Sequence, residues 1–102
     1  MNIGSAIQLS RTKRKLSQVQ LAKRAGISVS YLSLLERSLR DPPLSTLKRV
    51  AAGLNMPLEI LFFLGAEGKE LSGLSQELAG QLAVAALELL NEPEPPQADL
   101  PL

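Results

Sequence analysis

A chain of 102 residues with a formal net charge of +1 has room for one small domain and an appendage. It has no cysteine and no histidine, which excludes disulfides, thiolate or imidazole metal sites and imidazole catalysis, and leaves carboxylate oxygens as the conceivable metal ligands. Apolar runs such as Ile60 to Leu64 are far too short to span a bilayer and the first residues carry no signal-peptide pattern, so a cytoplasmic protein without a cofactor is expected.

The small net charge hides an asymmetry. Residues 1–40 hold Arg11, Lys13, Arg14, Lys15, Lys23, Arg24, Arg37 and Arg40 against the single acid Glu36, a balance of +7. Residues 41–65 are neutral, and residues 66–102 carry −6. A basic half points to a polyanionic partner at one end of the molecule, with a different role for the acidic end.

In chain order, residues 3–15 read as a first helix, with Ile3 and Ile7 as a partial apolar stripe that Arg11 continues. Ser17 and Gln20, three apart, fit a capping box that opens a second helix, Gln18 to Ala25, whose apolar face is Leu21, Ala22 and Ala25. Gly26 supplies the left-handed backbone that ends a helix without steric penalty. Ile27 then drops into the core, and Ser28 is a good N-cap for a third helix from Val29 to about Arg37. Leu32 and Leu35 face inward there, leaving Val29, Ser30, Ser33 and Leu34 outside. Two short helices about a glycine turn, with a small-polar outer face, form a helix-turn-helix candidate.

Pro42 and Pro43 make the next segment a loop. Ser45 is expected to cap a fourth helix, Thr46 to about Leu54, with Leu47, Val50, Ala51 and Leu54 at core spacing. Asn55 tolerates the left-handed turn that follows, and Pro57 starts a fifth helix, Leu58 to Leu64. Phe62 and Phe63 are adjacent, so one is expected to be left for a partner subunit or for the C-terminal segment.

Gly65 to Lys69 reads as a linker, and Glu70 to Asn91 as a further amphipathic helix that must either fold back or pair with another copy. The surplus phenylalanine favours a homodimer through residues 60–90, using Phe62, Phe63, Leu71, Leu74, Leu78, Leu82 and Leu89. Residues 92–102, EPEPPQADLPL, are acidic and proline-rich, the composition of a disordered tail. The expected organisation is a domain over residues 1–65, a linker and helical dimerisation or partner-binding segment over 66–91, and the tail over 92–102.

The stretches LSQVQLA, AGISVSYLSLLER and PPLSTLKRVAAGLNMPLEIL, within roughly residues 3–64, resemble the Xre/Cro type of phage and bacterial repressor. The resemblance implies an all-α fold, a five-helix repressor-like DNA-binding domain with a helix-turn-helix, to which the C-terminal helical segment is added. It implies that Ser28, Val29, Ser30, Ser33 and Leu34 face the bases of the major groove, and that Gln18, Arg37 and Arg40 touch phosphate. Tyr31 can either send its hydroxyl to a phosphate or pack its ring on the second helix. An Arg11–Glu36 ion pair bracing the first helix against the third is a further implication. The chain departs from the family pattern twice: Lys15 stands where glycine often ends the first helix, and no Gln, Arg or Lys occupies the base-facing positions.

These features lead to a sequence-specific double-stranded DNA-binding transcription regulator, a repressor binding an inverted-repeat operator as a dimer. No nucleophile–base pair, phosphate-binding glycine loop or metal cluster argues for an enzyme. Two alternatives stand beside it. One is the antitoxin of a toxin–antitoxin module; the other is a protein-interaction module that keeps the fold without binding DNA, which the apolar Val29 and Leu34 favour and the basic N-terminal half opposes.

Overall fold

The Asn2 side-chain oxygen accepts the Ser5 N–H at 3.0 Å and so caps the first helix, α1, Ile3–Lys13. The computed structural model describes residues 1–67 and 75–91, and the elements among them are all helical. After α1, Lys15 adopts φ +59°, the left-handed conformation that the missing glycine would have taken without strain. Helix α2 spans Gln18–Ala25 and opens with a complete capping box. The Gln20 N–H donates to Ser17 Oγ at 3.0 Å, and the Ser17 N–H donates to Gln20 Oε1 at 2.8 Å. Gly26, at φ +69°, ends it. Helix α3, Val29–Glu36, starts at Ser28, whose Oγ accepts the Tyr31 N–H at 3.0 Å.

Helix α4 spans Leu44–Gly53 and corrects one expectation: Pro43, not Ser45, occupies the cap position. The Pro43 carbonyl accepts the N–H groups of Thr46 and Leu47 at 3.0 and 3.1 Å, so the first turn closes before Ser45 can act as a cap. Pro57 starts α5, Leu58–Gly65, in the same way, its carbonyl accepting Ile60 and Leu61. The fixed proline φ suits a helix entrance, where no side-chain cap is then required. Between these helices Asn55 takes φ +54°.

Helix α1 packs against α3 and α5, and α2 against α3 and α4. Ile7, Leu21, Leu32, Leu35, Val50, Leu54 and Leu61 fill the space between them and are fully buried. The α1–α3 crossing is close because residue 4 is glycine. A Cβ there would fall 2.7 Å from Ser38 Oγ and 2.9 Å from the Glu36 carbonyl oxygen, and would meet the Leu35 carbonyl oxygen more closely still.

Helix α6, Gln76–Asn91, folds back on α5 and α1 of its own chain. Ala86 and Leu90 enter the common core, and Leu82, Ala85 and Leu89 pack against it. Phe62 and Phe63 are both half-buried against that core. Leu78, Val84 and Leu87 remain on the outside of α6. Leu71 and Leu74, named above for dimerisation, and the acidic tail over 92–102 lie outside the described residues. No helix among the described residues is long and apolar enough to cross a membrane.

Candidate nucleic-acid interface

The capping box of α2 and the Ser28 cap of α3 fix where the two helices start, and across the Gly26 turn the start of α2 comes to lie beside the end of α3, where Gln18 meets Glu36. One open groove of about 410 Å³ results, lined by Gln18 from α2 and by Val29, Ser30, Ser33, Leu34 and Arg37 along α3. Four of the five residues expected to face bases thus line one groove together with Gln18 and Arg37. Ser28 is exposed beside them, but its oxygen is engaged in capping α3.

Beneath the groove lies a buried polar network. Arg11 grips Glu36 with two hydrogen bonds, Nε to Oε2 at 2.7 Å and Nη2 to Oε1 at 3.0 Å. Their side chains are only 15% and 3% exposed, so the pair is screened from solvent and joins α1 firmly to the end of α3. Arg11 Nη1 also donates to the Leu16 carbonyl at 2.9 Å, tying in the α1–α2 turn. Gln18 Nε2 completes the network by donating to Glu36 Oε1 at 3.1 Å. The Gln18 amide nitrogen has two hydrogens, so the second can serve a phosphate while the first holds Glu36. No sequence signal gave this link, which joins residues 18 positions apart and depends on how α2 crosses α3.

The basic residues divide into two groups. Arg14 is buried and donates to the Asn55 carbonyl at 3.0 Å, while half-buried Arg24 donates to the Gly53 carbonyl at 3.3 Å. Both therefore sit at the C-terminal end of α4, where a cation complements the helix dipole. With Arg11 committed to Glu36, three of the eight N-terminal cations serve the fold directly. Lys13, Lys15, Lys23, Arg37 and Arg40 are exposed. Arg37 Nε leans on the Ser33 carbonyl at 3.3 Å, which holds its guanidinium beside the groove. Tyr31 is half-buried and packed against the core.

The chain matches the family described as "Helix-turn-helix" over residues 7–61, more than half of its length. It is 44% identical over 61 residues to an immunity repressor protein of Bacillus phage phi105, covering 60% of this chain and 42% of the relative. It is 41% identical over 59 residues to an uncharacterized HTH-type transcriptional regulator of Mycobacterium tuberculosis (strain H37Rv), covering 58% and 42%. To the HTH-type transcriptional regulator SlrR of Bacillus subtilis it is 43% identical over 61 residues, covering 59% and 40%. The chain thus spans about two fifths of the length of these curated relatives.

Proposed function

The chain belongs to the Xre-type helix-turn-helix family of DNA-binding transcription regulators, and on that premise we propose that it is a sequence-specific repressor that binds an inverted-repeat operator as a dimer. The observation that carries this reading is the groove that Gln18 and Arg37 line together with Val29, Ser30, Ser33 and Leu34. In this docking, α3 enters the major groove and the N-terminal turn of α2 rests on the backbone. Amides at that turn, the second Gln18 hydrogen and the cations of Arg37 and Arg40 meet phosphate oxygens. The repressor output is carried over from the phage immunity repressor, one of the relatives.

Two copies would present two α3 helices to successive major grooves, about 34 Å apart. Phe62, Phe63, Leu82 and Leu89 are packed within their own chain. On this reading the dimer contact uses the outer face of α6, a choice supported by Leu78, Val84 and Leu87, which are 43%, 55% and 60% exposed there. A titration of labelled operator duplex with the wild type, Gln18→Ala and Arg37→Ala tests the docking. Both variants are expected to bind more weakly at every ionic strength below the salt limit of the wild type; unchanged affinity in both would rule the docking out.

A further inference from the structure

Helix α3 lacks the side chains that usually identify bases. Bidentate recognition of guanine requires Arg or Lys, and that of adenine requires Asn or Gln. Val29, Ser30, Ser33 and Leu34 supply neither. Gln18 is held by Glu36, and Arg37 lies past the last turn with its Nε on the Ser33 carbonyl. Serine hydroxyls donate or accept and so fit any base pair.

What α3 does offer is apolar surface in an unusual place. Val29 is the first residue of the helix, sits between Ser28 and Ser30, and is 39% exposed. Leu34 lies half-buried in the same groove. The one apolar group on the floor of the major groove is the thymine C5 methyl. Resting on the DNA-binding reading above, we infer that this surface recognises its operator through thymine methyl groups, with Val29 and Leu34 as the contacts. Arg37 in the groove and exposed Arg40 three residues on, both past the C-terminal end of α3, would meet phosphates flanking such a site. Five residues of helix advance about 7.5 Å and leave the two side chains about 140° apart around the axis, so they reach different base pairs.

Replacing thymine with deoxyuridine removes the methyl and leaves base pairing intact, which makes the inference directly testable. A duplex enriched from a random pool is resynthesised with each thymine replaced in turn, and binding is measured at constant salt. One or two thymines in each half-site are expected to give about fourfold weaker binding per methyl lost, the ratio that burial of one such group supports. Val29→Ala, at an exposed position and with an unchanged melting temperature, should bring the thymine-to-uridine ratio at one of these positions close to one. Equal binding of all uridine duplexes, or an enriched site without thymine, would overturn methyl readout and leave DNA recognition standing. Failure of the wild type to prefer any duplex over random DNA would overturn both.

Discussion

Gln18 on α2 and Glu36 at the end of α3 share a 3.1 Å hydrogen bond that connects the rim of the groove to the buried Arg11 ion pair. One carboxylate thus holds both the end of α3 and the Gln18 side chain expected to meet phosphate. Glu36→Ala would leave Arg11 without its partner in a site nearly closed to water. A destabilisation of about 3 kcal/mol or more is expected, read from urea unfolding. Gln18→Ala removes an uncharged partner and should cost only about 1 kcal/mol while weakening DNA binding. If both variants lose the same stability, Gln18 is a structural residue and not an interface residue.

Arg37 and Arg40 should act on all DNA sequences alike. Arg37→Ala is expected to weaken binding to specific and random duplexes by similar factors, and to lower the slope of log K against log salt by about 1. A loss confined to the specific duplex would place the guanidinium on a base edge.

The close α1–α3 crossing makes Gly4 intolerant of any side chain. Its would-be Cβ meets the Glu36 carbonyl and Ser38 Oγ, at the same end of α3 that Arg11 braces. Gly4→Ala should destabilise by about 1–3 kcal/mol through overpacking, seen as a lower urea midpoint with an unchanged slope. Wild-type stability would show that the helices can separate at little cost.

Lys15 is the reverse case. Glycine relieves the strain of φ +59° at the expense of some chain entropy. Lys15→Gly is expected to gain about 1 kcal/mol and raise the melting temperature by about 4–8 °C. A lower melting temperature would mean that the lysine side chain stabilises the turn.

The two faces of α6 should respond differently. Leu90 is buried in the core, so Leu90→Ala should destabilise by about 2–5 kcal/mol. Leu87, 60% exposed, should leave monomer stability within about 0.5 kcal/mol when changed to Glu, yet shift the oligomeric state seen by sedimentation. Unaltered sedimentation of Leu87→Glu would remove the outer face of α6 from the dimer contact.

Much of this architecture is legible locally. The Ser17–Gln20 capping box, the Gly26 stop and the Leu32–Leu35 spacing are relations within one turn, and each has the structural consequence that its chemistry implies. What was not legible depends on other elements. Gly4 is special only because α3 crosses it, and Ser38 takes φ +59° in a loop with no glycine to mark the turn. Charge counting could not separate Arg14 and Arg24, seated on the carbonyls that end α4, from Arg37 and Arg40 at the surface. Adjacent Phe62 and Phe63 imply a second surface for α5, but that the C-terminal helix α6 of the same chain packs there depends on the tertiary fold. The residues of the groove were predictable as a helix face, but the Gln18–Glu36 link beneath them required the packing of α2 on α3.

Selection of bound sites from a random duplex pool at physiological salt tests sequence-specific dimeric binding most directly. Enrichment of an inverted repeat with half-sites about one helical turn apart is the expected result. Binding that disappears with added salt and enriches no sequence would show that this helix-turn-helix holds the DNA backbone without reading it, and would contradict a repressor that recognises an operator.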